Sequence, residues 1–453
     1  MSATAGARPK ARPSANPMDQ STLTVNEKIL RECHVLYTDP DNGLIKIAEH
    51  FGLKLLAPRK KIIVLLIGNH SAGKSSFINW YIEEHVQKTG VAIETQGFVI
   101  VTSGKKRESL MGNATLHLYP HFKPLKDIAG VVDFLSTEIS TSKQKKFSLV
   151  TFVDTPGLVD GDMQYPFDVN EAVSWLGKMA DLVFVFFDPI GQALCKRTLT
   201  LVEKLNTNHT EKMRFYLSKA DDAGDESDRQ RVMMQIVQEL CKRPGLNRTG
   251  FDMPTIYIPE LNKQNSRCVN QIESVCRDIE RTINQTIQNT LNALERDCEI
   301  VSGRIEEELD KDILDRSYNF RTSSRAMFLG ALAAMLPLLL FLNVIVSLLG
   351  TDILHSVIGV SATSSILSSL SPIRKVWSVV PARHQVLALM LVVLLSGALF
   401  LLTKWSLGLR PTLSRKQRRQ YAGMREHVEN VVKIKKQQLY REYLEQSVGD
   451  HDL

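Results

Sequence analysis

Ile62-Ile63-Val64-Leu65-Leu66-Ile67-Gly68-Asn69-His70-Ser71-Ala72-Gly73-Lys74-Ser75-Ser76 is the stretch on which the fold turns. Its first six residues form an unbroken apolar run of the length expected for a central strand of a parallel sheet covered on both faces. The run passes into a G-x-x-x-x-G-K-S loop and then into the helical stretch beginning at Phe77, the strand, loop and helix order in which such a loop cradles phosphate. Gly68 and Gly73 let main-chain N–H groups close around anionic oxygens, and the helix N-terminus adds its positive dipole end. In this pattern Lys74 reaches the β and γ phosphates and Ser75 ligates Mg²⁺, so Gly68 through Ser76, with Asn69, His70, Ser71 and Ala72 between the glycines, is the expected nucleotide cradle.

Similar apolar runs recur at 148–153, 182–187, 214–217 and 255–258, separated by helical stretches, which predicts a doubly wound α/β domain. The run at 149–153 leads into Asp154-Thr155-Pro156-Gly157. A carboxylate there serves Mg²⁺, and Gly157 offers an N–H where a γ-phosphate would sit and loses that contact after hydrolysis. Between loop and switch, a threonine must reach the metal. The choices are Thr95 and Thr102, and Thr95 is preferred because Thr102 closes an expected strand. Ser218-Lys219-Ala220-Asp221 is a variant of the N-K-x-D base-reading pattern, in which Asp221 accepts the guanine N1 and N2 protons and the Lys219 stem lies over the ring. Ser71 and the switch loops are expected to place the attacking water, giving Ser71, Lys74, Thr95 and Gly157 as the catalytic set and Ser75, Thr95 and Asp154 as the metal set.

The 453 residues are 43% hydrophobic and 23% charged, which excludes a disordered tail. The net charge of +7 collects near two apolar segments, so it reads as a membrane-surface feature and not as nucleic-acid binding. Six scattered cysteines form neither a zinc pattern nor a disulfide framework, which fits a reducing compartment.

Residues 1–23, rich in Ala, Pro and Ser, read as a disordered arm, and 24–56 as a helix joining a stalk. Residues 57–265 are the nucleotide domain, and 266–325 a helical stalk whose apolar positions recur every three or four residues. Residues 326–350 and 386–403 are uncharged and long enough to span a bilayer. The stretch 351–385 is a loop or a re-entrant segment, and 404–453 a basic helical tail. Arg321 and Arg325 before the first span, and Lys404, Arg410, Arg415, Lys416, Arg418 and Arg419 after the second, put both termini in the cytosol as a hairpin.

GNHSAGKSS, DTPG and SKAD together resemble the dynamin superfamily, and their surroundings are most similar to the EH-domain-containing, sarcalumenin-type dynamin-like ATPases. The resemblance covers roughly residues 24–263. It implies a dynamin-type G domain that binds GTP, with ATP as the alternative, together with Mg²⁺. It also implies self-assembly through G domain and stalk on a lipid bilayer. No EF-hand-like stretch marks an EH module, and the plan of G domain, stalk, hydrophobic hairpin and basic tail is similar to atlastins and mitofusins. The expected function is a membrane-anchored GTPase coupling hydrolysis to assembly and to membrane remodelling or tethering. A nucleotide-gated scaffold with little hydrolysis, or an ATP-specific ATPase, is the alternative. Endoplasmic reticulum is the favoured address, and mitochondrial outer membrane the second.

Overall fold

The computed structural model describes residues 23–90, 95–160, 165–191, 194–247, 252–259 and 268–448. They fall into two compact units, one comprising residues up to Glu299 together with those from Asn430 onward, the other Ile300–Glu429.

The first unit is built on a seven-stranded sheet: β1 Ile62–Gly68, β2 Phe98–Ser103, β3 Glu108–Met111, β4 Leu135–Ser140, β5 Val150–Asp154, β6 Leu182–Phe187 and β7 Met213–Leu217, in the order β3-β4-β2-β5-β1-β6-β7. Every residue of β1, β5 and β6 is buried, as runs without polar alternation require when both faces are covered. The sheet is mixed. β2 runs antiparallel to β5, and β3 antiparallel to β4, while the remaining neighbours are parallel. Register places Leu66 beside Asp154 and Gly68 beside Phe186, so the carboxyl ends of β1, β5 and β6 converge on one edge, where α/β sheets bind ligands.

The expected strand at 255–258 does not form. Thr255 makes a single bridge to Leu217, with Leu217 N donating to Pro254 O at 3.0 Å and Ile256 N to Leu217 O at 2.8 Å; on its other side Thr255 N donates to Gln271 Oε1 at 3.1 Å and Thr255 O accepts from Gln271 N at 2.9 Å. Pro254, lacking an N–H, cannot extend a ladder ahead of it. The expected helix at 24–56 is two, Val25–Thr38 and Leu44–His50; the first is opened by a Thr24–Glu27 capping box. In this unit the Val25–Thr38 helix, the start of the long helix Ile272–Ile358 and the terminal helix Lys433–Val448 lie together. Tyr37 donates to Asp297 at 2.6 Å, Gln288 to Tyr443 at 2.9 Å, and Lys28 pairs with Glu442 at 2.8 Å.

The second unit holds two helices apolar and long enough to cross a membrane, the distal part of Ile272–Ile358 and Gln385–Ser406. Their large side chains face outward: Phe328 is 72% and Leu394 74% exposed, where a core helix would hide them. The two run antiparallel and are clamped at one end. Asn319 and Arg410 exchange two 2.8 Å hydrogen bonds, Arg410 pairs with Asp315 at 3.1 Å, and the buried carboxylate of Asp312 accepts from Leu413 N and Arg316 Nε. Farther along, Ser396 donates to the Ala333 carbonyl at 2.5 Å.

Stalk and first apolar segment are one continuous helix, because 266–325 supplies neither Gly-Pro punctuation nor a turn cluster. The stretch 351–385 is largely helical and not an irregular loop. The long helix runs to Ile358, Gly359 interrupts it at φ 88°, and Val360–Ser378 is helical again. The basic tail divides into Arg415–His427, a π-helical turn Val428–Val432, and Lys433–Val448.

Candidate functional site

The loop after β1 closes through Ser71, at φ 60°, and Gly73, at φ 83°, the latter standing as N-cap of the helix Lys74–Ile82. Lys74 is buried, and its ammonium donates to the carbonyls of Gly68 and Asn69 at 3.2 and 3.1 Å. Burial lowers the Lys74 pKa, against the pull of Asp154; burial raises that of Asp154, against Lys74 and the Ser75 hydrogen bond. Each group moderates the cost of burying the other.

Three oxygens meet beside this pair. Ser75 Oγ lies 2.5 Å from Asp154 Oδ2 and 3.4 Å from Thr95 Oγ1. Asp154 Oδ1 is buried and has no hydrogen-bond partner among the described residues. An orphaned carboxylate oxygen next to two hydroxyls is a hard-oxygen set suited to Mg²⁺, which keeps waters and takes few protein ligands. Ser75, Thr95 and Asp154 would hold the ion, which would supply neutralisation of phosphate charge. Thr102 points elsewhere: its hydroxyl is buried in β2, receives Lys61 Nζ at 2.9 Å and meets Thr151 at 3.1 Å.

Switch and loop touch directly. A Cβ on Gly157 would come within 2.7 Å of His70 Cα, so only glycine fits here. His70 N donates to Leu158 O at 3.2 Å, and Leu158 N to Gly68 O at 3.3 Å. Tyr165 donates to the Gly157 carbonyl at 2.6 Å. Ser71 is exposed, its hydroxyl 2.9 Å from the His70 ring. Residues 161–164 and 91–94 lie outside the described residues.

At the other end, Ser218 is buried and both its N–H and its hydroxyl bond the Phe187 carbonyl, at 2.9 and 3.1 Å. Here a serine tethers the loop to the end of β6. Lys219, at φ 51°, sends its ammonium 3.1 Å from the buried Asp188, whose other oxygen accepts from Ile190 and Gly191 N–H. A cavity of about 410 Å³ lies over His70–Ser76, Thr95 and Gly157; a second of about 380 Å³ is lined by Ser218, Lys219, Asp221, Trp80 and Tyr257. Gly73, Ser76, Thr89, Lys219 and Asp222 line both, giving a two-part cleft with phosphate-like and base-like ends.

Several contributors were not legible in sequence. Thr198 donates to Asn69 Oδ1 at 2.5 Å, and Asp160 accepts from Lys196 and Arg197 N–H, so the helix Lys196–His209 holds both loop and switch. Asp188, Trp80 and Tyr257 carry no motif. Only the position of Asp188 directly after an apolar strand gave a signal.

Sheet, loop and oxygen cluster define a P-loop nucleotide-binding domain of the GTPase type. Residues 64–236 match the dynamin family, and the G-domain fold of this region is dynamin-like. The chain is 30% identical over 188 residues to EH domain-containing protein 1 of Arabidopsis thaliana, covering 40% of this chain and 34% of that protein. It is 28% identical over 171 residues to human EH domain-containing protein 3, covering 36% and 31%. The chain thus spans about a third of the length of the curated relatives it matches. A solved bacterial dynamin, from an oligomerised pair described as sensing and tethering membranes, overlaps 96% of this chain and 81% of its own at 14% identity, with a TM-score of 0.41, a loose overlap.

Proposed function

We propose that this protein is a membrane-anchored dynamin-like GTPase in which GTP binding and hydrolysis drive self-assembly through G domain and stalk, and through it membrane remodelling or tethering. The reading is carried by one observation: a chain whose first half holds the Ser75, Thr95 and Asp154 oxygens beside a buried Lys74 also holds an antiparallel pair of apolar helices with outward-facing side chains. Phosphoryl transfer asks for positioning and charge stabilisation more than for a strong base, and the site offers Lys74, the loop N–H groups and the metal set for that purpose. Gly157, pressed against His70, supports a switch role, because movement there must move the phosphate loop. The hairpin topology, with both termini cytosolic, is supported by the clamp at Asn319 and Arg410 and by the cations near it. Endoplasmic reticulum is the proposed address.

The test uses full-length protein in liposomes. GTP turnover per molecule should rise with protein density on the membrane, and alkaline carbonate should leave the protein in the pellet. Absence of affinity for purine triphosphates, or release by carbonate, would overturn the reading. GTP and ATP titrated side by side decide the base, since Ser218 replaces the usual asparagine.

A further inference from the structure

We propose that a groove between the first apolar helix and the folded-back helix Val360–Ser378 binds an anionic phospholipid of the leaflet opposite the clamp, its acyl chain in the groove and its phosphate on Arg374 and Lys375. This rests on the membrane-anchored reading above.

After Gly359 the chain doubles back, burying Val346 and Leu370 together with flanking Leu339, Ile366, Leu367 and Ile373. Beside this contact lies a groove of about 340 Å³ lined by Leu339, Leu340, Pro372, Ile373, Val376 and Trp377. Its volume lies within the roughly 300–1,000 Å³ of small-molecule sites, and its wall is almost entirely carbon. Several hydroxyls of the returning helix bond preceding carbonyls, Thr363 to Gly359 O, Ser364 and Ser365 to Ser361 O and Ser368 to Ser365 O, which lets a serine-rich helix lie against lipid.

Depth follows from the pairing. The Asn319–Arg410 clamp and the Ser396–Ala333 contact are fourteen residues apart along each arm of the hairpin, the second segment leaving its helix after Ser406. At 1.5 Å per residue, Leu339 stands about 30 Å beyond the clamp and about 21 Å beyond Arg325, in the far half of a hydrocarbon layer about 30 Å thick.

Arg374 and Lys375 sit in sequence between the groove residues Ile373 and Val376. Both are exposed, and neither has an ion-pair partner among the described residues. Between Asp315 and Glu426 the sequence contains one acid, Asp352. Two cations at this depth with no ion-pair partner among the described residues call for an anion at the headgroup level, reached by extending their apolar stems. Trp377, which lines the groove, is a side chain that favours that level. The complement is a phosphate joined to an alkyl chain.

The full-length protein is reconstituted in phosphatidylcholine liposomes containing trace phosphatidylserine or phosphatidylcholine with a photoreactive group on the acyl chain. Adducts are mapped by peptide. Phosphatidylserine should label peptides containing Leu339 and Ile373 more than phosphatidylcholine, by roughly thirtyfold, the scale of two juxtamembrane cations at about 1 kcal/mol each. Arg374→Gln with Lys375→Gln should reduce phosphatidylserine labelling to the phosphatidylcholine level. Ile373→Trp, which fills the groove, should abolish both there while labelling of 385–406 persists. Equal labelling by the two lipids, or a preference that survives loss of both cations, overturns the site while leaving the anchor intact. Release of the protein by carbonate overturns the anchor itself, so the two failures are distinct.

Discussion

Asn270 and Tyr257 exchange two hydrogen bonds, Tyr257 N to Asn270 Oδ1 at 3.2 Å and Asn270 Nδ2 to Tyr257 O at 2.8 Å. The same Oδ1 accepts from Ile272 N at 3.1 Å, at the first residue of the long helix. Tyr257 and Ile272 both line the base-like cavity, so one amide ties the cavity wall to the helix start. Asn270→Ala removes a helix-start cap and the wall's tether, a loss of about 1 kcal/mol. Nucleotide affinity, read by fluorescent-analogue titration, should fall roughly fivefold, with Asn270→Asp intermediate. Unchanged affinity would show that the wall holds without this link.

Thr95 and Thr102 are separable by mutation. Thr95→Ala deletes a hydroxyl 3.4 Å from Ser75 Oγ and should lower turnover about 10²-fold with nucleotide still bound, the scale of losing one preorganised stabilising contact. Thr102→Ala takes the partner from the Thr151 hydroxyl and one of three acceptors from the Lys61 ammonium, which keeps Ser103 O and Oγ, and should cost about 1–3 kcal/mol of stability with little change in turnover per folded molecule. Paired hydrolysis and unfolding measurements check the contrast. The reverse pattern would transfer the metal role to Thr102.

The residues that sequence grouped correctly in space are those whose partners are dictated by adjacent chain. β1 leads into the loop, and the loop into the Lys74 helix; the β5 register then brings Asp154 level with Leu66, so Lys74, Ser75 and Asp154 meet. β3 and β4 escaped notice because ESLM and LSTEIS lack an apolar run, and β3 is an exposed edge strand. The antiparallel placement of β2 against β5 depends on a long excursion whose direction no local pattern encodes. Thr198 to Asn69 and Asn270 to the Tyr257 backbone are contacts across 129 and 13 residues in which neither Thr198 nor Asn270 belongs to a motif, so only the folded chain reveals them. For 351–385 the sequence left loop and re-entrant segment both open, because serine hydroxyls suit a loop as well as a helix until their bonds to preceding carbonyls are seen.

His121 should make the G domain acid-sensitive. Burial pushes its pKa down to about 4, against an ordinary value of 6.5, with Arg59 adding to the shift. In the unfolded chain the imidazole takes up a proton from about pH 6.5 downward, and the folded form resists until about pH 4. The contribution is therefore full above pH 6.5 and lost as pH falls toward 4. His121→Phe, which keeps the ring packing on Phe122 at 4.3 Å, should flatten unfolding midpoints over that window. An identical acid slope in wild type and variant would assign the sensitivity to other groups.

The clamp makes the hairpin testable by chemistry independent of nucleotide. Asn319 Oδ1 accepts from Arg410 N at 2.8 Å, so these positions adjoin where both apolar helices leave the proposed bilayer. A disulfide forms only between Cα atoms about 4.4–6.8 Å apart. In a Cys241→Ser background, which removes the exposed native thiol, Asn319→Cys with Arg410→Cys should crosslink under mild oxidation in membranes. Asn319→Cys with Ser378→Cys should not, because Ser378 ends the helix whose neighbours Val376 and Trp377 lie beside Leu339 and Leu340, about 30 Å up the first helix. Arg410→Ala would leave Asp315 without its ion-pair partner and the Tyr318 ring without the guanidinium 4.3 Å above it. If the 319–410 pair fails to crosslink while 319–378 succeeds, the two helices do not run as an antiparallel pair from a shared end, and the hairpin is wrong.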